Sequence, residues 1–276
     1  MTEDNIIRKL RRRAPLIGDD CAVIAAPSGV DLLFTTDFSI EGVHFTSKST
    51  AEKIGYRAVA RSLSDIAAMG GTPLYCLVSI AVAPWTNQRW IGGLYRGIHK
   101  MLHKAKASLA GGDISHADQL VCDVMVCGTI AKGKALLRSG ARHGDILYVS
   151  GTLGGWRHKG IIEPRLAEGR KLVGKATACM DISDGLALDL HRLCRASGVA
   201  AMLESIPLLE GATIEQALHD GEDYELLYSA PPRVRVEGIR IGTIAKGKRG
   251  AITLQGKRVS TRGYDHLRAT TTISPQ

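Results

Sequence analysis

Aspartates beside small or hydroxylated residues recur along this chain: Asp19 and Asp20 in GDD, Asp37 in TTD, Asp65 in LSD, Asp113 in GGD, and Asp181 and Asp184 in DISDG. Each alone is a common turn or helix-start residue. DISDG runs directly into leucines at helical spacing, and taken by itself it favours capping, because Ser and Asp at a helix start accept free backbone N–H groups. As a set the acids ask for more. No zinc-type spacing of His and Cys accompanies them, and oxygen-only donors select Mg²⁺ or Mn²⁺ over zinc. Mg²⁺ takes only one or two carboxylates and completes its octahedron with water and phosphate oxygens. Several acids therefore imply several ions gathered around a polyphosphate.

Asp65 is the most informative of them. It lies in YRAVARSLSDIAAMGG on a stripe with Ala58, Ser62 and Met69, near a helix C-terminus where the dipole disfavours a carboxylate. A cation should face it. Arg61, four residues earlier, offers an ion pair in the weaker charge order, worth roughly a few tenths of a kcal/mol; a metal ion is the better partner. Other chemistries lack their motifs: the sequence contains no G-x-x-x-x-G-K-[ST], no H-R-D or D-F-G set, no G-x-S-x-G and no H-E-x-x-H.

These residues need elements to hold them. DLLFTTD (31–37) reads as a strand that delivers Thr35, Thr36 and Asp37 to a sheet edge or end. A helix is expected over 52–69, stopped by Gly70 and Gly71, then a buried strand over 73–82, a second helix over 87–108 and a strand over 120–130. After the turn-like RSGARHG come a strand at 144–151, a helix at 185–197 closed by Gly198, and a strand at ELLYSAP. IRIGTIAKGKRGAITLQGKRV reads as strand pairs with Gly-rich turns. The alternation predicts an α/β or α+β protein with domains at 1–140 and 141–276.

Composition narrows the partners. The 276 residues are 45% hydrophobic and 23% charged, the profile of a soluble globular protein. No apolar run approaches the roughly 20 residues that span a bilayer, and MTEDNIIRKLRRRAP lacks the features of a secretory signal, so a cytoplasmic protein without a membrane partner is expected. The six cysteines form no C-x-x-C pair and sit mostly in apolar stretches, as buried thiols do. A net charge of +9 favours anionic partners. The RKLRRR run (8–13) has no interleaved aromatics, so it reads as a solvated basic face and no nucleic acid is expected.

IGDDCAVI (17–24), TTDFSIEGVHF (35–45), GYRAVARSLSDIAAMGGTPL (55–74), GGDISHADQL (111–120), LRSGARHGDILYVSGTLG (137–154), MDISDGLALDL (180–190), GEDYELLY (221–228) and RGYDHL (262–267), in this order, resemble the thiamine-monophosphate kinase family, within the superfamily of aminoimidazole ribonucleotide synthetase. The resemblance spans nearly the whole chain. It implies a two-domain fold whose N-terminal sheet pairs across a homodimer, with a C-terminal α/β domain. It also implies ATP and several Mg²⁺ ions in the N-terminal cleft, and transfer of the γ-phosphoryl to thiamine monophosphate. Carried over, Asp20, Thr35, Thr36, Asp37, Asp65, Asp113, Asp181 and Asp184 look like the Mg²⁺ ligands. Of these, Asp37, Asp65 and Asp184 would position the reacting phosphates. Tyr95, Gly112, Asp113, Arg138 and Ser183 look like ATP contacts, and His44, Glu222 and Tyr264 like contacts to the thiamine substrate. No general acid or base is implied, since the attacking phosphate oxygen is already ionised near neutral pH.

The chain departs from the family pattern in its C-terminal half. After GTLG the usual Asp-Ser and helix are replaced by GGWRHKGIIEPRLAEGRKL, the stretch between Gly198 and GEDYEL is short, and Asp220 stands where a glycine commonly precedes GED. A paralogous kinase or synthetase acting on another phosphorylated acceptor is the alternative, and a silent ATP-binding relative a further one. Arg138 could pair with a nearby acid instead of ATP, and Asp223 and Glu225 could be the solvent side of a strand.

Overall fold

The computed structural model describes residues 3–27, 29–46, 48–154, 160–265 and 267. Helix α1 (Glu3–Leu10) precedes a five-stranded sheet made of β1 (Ala22–Ala25), β2 (Val30–Ile40), β3 (Thr72–Val82), β4 (Ser108–His116) and β5 (Val121–Ala131), in the order β1-β2-β5-β3-β4. Helices α2 (Ala51–Ala68) and α3 (Gln88–Ala105) pack on one face of this sheet. The second sheet holds seven strands: β6 (Ile146–Val149), β7 (Ala178–Asp181), β8 (Ala200–Leu203), β9 (Leu226–Ala230), β10 (Ile239–Ala245), β11 (Ile252–Leu254) and β12 (Lys257–Arg258). Its order is β12-β11-β8-β10-β6-β9-β7. Helices α4 (Leu166–Leu172), α5 (Leu186–Ser197) and α6 (Ile214–His219) complete the chain. None of the described helices is long and apolar enough to cross a membrane.

Period-2 burial explains the first sheet. Cys122, Val124 and Val126 of β5 and Cys76, Val78 and Ile80 of β3 point to the helix side, where they meet Ile54, Leu63, Leu94 and Ile98. Helices α2 and α3 approach so closely that a Cβ on Gly55 would overlap the Leu94 carbonyl oxygen, and one on Gly97 the Glu52 carbonyl oxygen. Two missing side chains thus set the position of the helix that carries Arg61 and Asp65. A second core lies between α5 (Leu186, Leu190, Leu193) and the second sheet (Leu147, Leu227, Ile241). The halves are joined by a third cluster, in which Ala67, Ala68 and Leu136 meet Leu172, Cys179, Leu226 and Tyr228.

The expected long elements are present with small shifts, and Gly198 closes α5 in the left-handed conformation at φ 73°. Four differences have physical reasons. The expected second helix stops at Ala105, because Lys106 adopts a left-handed cap and the chain turns into β4. That strand was not anticipated: it is an edge strand, exposed on both faces, and shows no hydrophobic alternation. Strands β10 and β11 are not a hairpin pair, since β8 lies between them and β11 runs parallel to it. Short elements α1, α4, α6, β7 and β8 were too brief to stand out by period. The replaced stretch after GTLG falls partly on 155–159, outside the described residues.

Candidate functional site

Three aspartates from distant parts of the chain converge. Asp20, from the loop before β1, Asp65, one turn from the end of α2, and Asp181, at the end of β7, each bring a carboxylate oxygen within 4.8 Å of the others. Asp37, on β2, stands beside them and raises the affinity of Asp65 for its proton. Burial and then mutual repulsion push Asp65 and Asp181 well above the usual carboxylate range. Asp20 and Asp37 are raised by burial, with Arg138 and Arg61 respectively opposing the shift. Besides Arg138 on Asp20, the donors to this cluster are Thr35 Oγ1 to Asp65 and Ser64 Oγ to Asp181 at 2.7 Å. Oδ2 of Asp20 and Oδ2 of Asp37 are buried without a hydrogen-bond partner. Buried carboxylate oxygens that repel one another and lack donors fit a hard cation.

Arg61 does not face Asp65 as the simple helix pair would have it. Arg138, expected at ATP, lies on Asp20: Nη2 donates to Oδ1 at 2.5 Å and Nε at 3.1 Å, while the Arg138 backbone N–H takes Asp19 at 2.7 Å. The acid-pairing alternative for Arg138 is thus what this structure contains.

DISDG does not cap its helix. Gly185 is the N-cap of α5, and no side chain caps there. Instead Asp189, fully buried in the first turn, reaches back: its Oδ2 accepts the backbone N–H of Ser183 at 3.1 Å and of Asp184 at 2.9 Å. Arg192 clamps the carboxylates of Asp184 and Asp189. Burial, and then the Asp184 charge, push Asp189 up to about 7. Sequence reading missed Asp189, although its place five residues after Asp184 at a helix start was the available signal.

The segment 222–225 folds onto DISDG. The N–H of Glu222 donates to the Ser183 carbonyl at 2.7 Å and that of Tyr224 to Ile182 at 2.8 Å, with both residues at positive φ (66° and 52°). Such backbone, uncommon outside glycine, persists only where surroundings fix it. The Glu222 carboxylate receives Arg57 Nη2 at 3.0 Å and Arg61 Nη1 at 3.1 Å from α2. Tyr224 lies under Arg61, 5.9 Å from guanidinium carbon to ring centre. The N–H of Tyr264 donates to the Asp184 carbonyl at 3.0 Å, and its phenol is raised by burial and by the neighbouring Glu222. Asp223 and Glu225 are buried rather than the solvent side of a strand: Asp223 accepts the Gly154 N–H at 2.9 Å, and Glu225 accepts Ser150 Oγ at 2.6 Å and Arg165 Nη2 at 2.5 Å.

The remaining expected residues stand apart. Register puts Thr35 opposite Val126 and Asp37 opposite Val124, on the helix side; Thr36 pairs with Met125 and so faces the other way. On that open face Thr36 Oγ1 donates to Asp123 at 2.6 Å, a residue sequence reading did not single out. Asp113 is in the interior of β4, opposite Ser79, which in turn is opposite Asp123; it is exposed and outside the cluster within one chain. Gly112 adjoins it, with the Val78 carbonyl where a Cβ would be. Tyr95 is half-buried on α3 against the first core, near Cys122. His44 sits in the turn after β2, its Nδ1 accepting the Ile40 N–H at 3.0 Å.

Comparison with known proteins identifies the fold and the family. Residues 18–130 match the family described as AIR synthase related protein, N-terminal domain. The thiamine-monophosphate kinase of Bacillus subtilis is 39% identical over 247 residues, covering 76% of this chain and 75% of its own. That of Aquifex aeolicus is 31% identical over 289 residues, covering 91% and 93%. A solved structure described as AaThiL complexed with AMPPCP and TMP superimposes with a TM-score of 0.90 at 29% identity, over 96% of this chain and 97% of that one. A hydrogenase maturation protein HypE in complex with ATP, at 18% identity and a TM-score of 0.70, shares the fold. With two sheets in this topology and relatives of this likeness along most of its length, the chain belongs to the thiamine-monophosphate kinase family.

Proposed function

We propose that this chain transfers the γ-phosphoryl group of ATP to thiamine monophosphate, giving thiamine diphosphate and ADP, with Mg²⁺ ions at the aspartate cluster. The observation that carries the reading is the convergence of Asp20, Asp65 and Asp181, drawn from both halves of the chain, with Oδ2 of Asp20 and of neighbouring Asp37 buried and without a partner. In the reaction an ionised phosphate oxygen of the acceptor forms a bond to the γ-phosphorus. The bond from that phosphorus to the β–γ bridging oxygen breaks, and its electron pair leaves on ADP. No proton changes hands, so positioning and charge neutralisation suffice.

Asp20, Asp37, Asp65 and Asp181 would hold the ions, with Thr35 and Asp184 at the margin. Bound Mg²⁺ supplies charge neutralisation for the phosphates. The chain itself supplies the fixed frame: Ser64 orients Asp181, Asp189 and Arg192 hold the loop that presents Ser183 and Asp184, and Arg138 fixes Asp20. Glu222 and Tyr264, brought together beside Arg61, are the acceptor side. We place the nucleotide toward Gly112, Asp113 and Tyr95. Because Thr36, Asp113 and Asp123 point away from the cluster, we infer that a second copy covers the open face of the first sheet, where Phe38 and Tyr75 are each 56% exposed.

The test is ³¹P NMR of the purified protein with Mg²⁺, ATP and thiamine monophosphate. Thiamine diphosphate and ADP in equal amounts, dependent on both Mg²⁺ and the acceptor, are expected. ADP without thiamine diphosphate would overturn the acceptor and direct the search to other phosphomonoesters.

A further inference from the structure

Arg61 is a buried cation with an unfinished set of bonds. Its side chain is 10% exposed, Nη1 is on Glu222, and Nε, shielded from solvent, has no hydrogen-bond partner. The other two arginines nearest the carboxylates are engaged: Arg138 donates twice to Asp20, and Arg192 bridges Asp184 and Asp189. Asp37 is a charged neighbour of Arg61, and its Oδ2 is likewise buried and without a partner. A cation and an anion lie near each other, each keeping one group unused rather than bonding to the other. A metal-bound phosphate, which carries both signs, satisfies such a pair. Position narrows the choice of phosphate. Arg61 Nη1 is bonded to Glu222, on the side where the acceptor is placed, and its charge also bears on Asp37, on the cluster side.

We propose that Arg61 anchors the phosphate of the acceptor, its Nε–H donating to a phosphate oxygen while Nη1 stays on Glu222 and fixes the plane of the guanidinium. The assignment rests on the kinase reading above and makes Arg61 the residue that distinguishes a phosphorylated acceptor from its dephosphorylated form.

The experiment is steady-state kinetics of Arg61→Lys and Arg61→Gln against the unaltered protein, varying thiamine monophosphate and ATP separately. A charge-assisted hydrogen bond lost from the acceptor alone should raise KM for thiamine monophosphate about 10- to 100-fold, with KM for ATP unchanged. Arg61→Lys retains the charge facing Glu222 but has no Nε, so it should show the effect even where Arg61→Gln fails to fold. An unchanged KM for the acceptor in the lysine variant overturns the assignment. So does a parallel loss for both substrates together with a lowered melting temperature, the mark of a structural role. Should the unaltered protein make no thiamine diphosphate, the kinase reading falls separately. Arg61 is then decided by calorimetric titration of inorganic phosphate into protein loaded with Mg²⁺ and AMPPCP. Binding that weakens in Arg61→Lys supports the anchor; equal binding, or none to the unaltered protein, overturns it.

Discussion

Asp189 and Asp184 are joined backwards across a helix start: the fully buried Asp189 carboxylate accepts the Asp184 backbone N–H at 2.9 Å. The residue proposed to work at the phosphates is held by one that never reaches them. Replacing Asp189 by Ala should leave two half-buried N–H groups without their acceptor, costing about 1 kcal/mol of stability. It should also raise the Mg²⁺ concentration needed for half-maximal turnover. Denaturant unfolding and a Mg²⁺ titration of activity check the two effects separately.

Protonation and stability are linked at the same cluster. Asp65 and Asp181 lie well above the ordinary carboxylate range and Asp189 at about 7, burial being the first cause in each. A folded-state pKa above the unfolded value means that the folded form binds protons more tightly. Its stabilisation is present at low pH and lost as pH rises through the folded pKa. Without divalent cations, the melting temperature should therefore rise as pH is lowered from about 8 to about 6, the window around the Asp189 value. Saturating Mg²⁺ should flatten that dependence. Differential scanning calorimetry with and without chelator reads both.

Asp65→Asn separates the two uses of that carboxylate. Turnover should fall by about a thousandfold or more, because the phosphates lose a positioning charge. The metal-free protein should melt higher by roughly a few degrees, since one repelling buried charge is gone. Mg²⁺ should then stabilise the variant less than it does the unaltered protein. Equal activity in the two proteins would remove Asp65 from the site.

The seam between α2 and α3 is testable by one methyl group. Gly97→Ala places a Cβ on the Glu52 carbonyl oxygen, so the helices must separate. Overpacking of this kind costs about 1–3 kcal/mol. The urea midpoint should drop accordingly, and turnover with it, because α2 carries both Arg61 and Asp65.

The open face of the first sheet makes a further prediction. If a second copy covers it, the protein sediments as a dimer, and Tyr75→Lys with Leu77→Lys should yield monomers. Those monomers should bind AMPPCP poorly, since Asp113 and Thr36 would have lost the surface opposite them. Monomers in the unaltered protein would sink the inferred assembly.

Much of this was legible in the sequence because the chemistry is local in type. Asp20, Asp37, Asp65 and Asp181 could be collected as a set by their small neighbours, and Asp65 by its awkward place on a helix. Long elements with clear periods, such as α2 and β5, were found within a residue or so. What could not be read was relational. Arg61 was the obvious partner for Asp65 four residues away, yet the fold aims it at Glu222, 161 positions later in the chain. Thr35 and Thr36 looked equivalent until the pleat put them on opposite faces. Edge strand β4 was hidden because a strand exposed on both sides carries no hydrophobic alternation. Asp189 was hidden among leucines as an ordinary first-turn acid.

The cluster takes Asp20 and Asp65 from the segment before β6 and Asp181 from the segment after it. Neither segment alone has the three carboxylates: a cut between β5 and β6 leaves Asp20 and Asp65 on one piece and Asp181 on the other. In the proposed reading, a divalent cation would then be more than an aid to phosphoryl transfer. For a chain cut at that point it would become the clasp, and the fragments should reassemble more tightly as free Mg²⁺ rises.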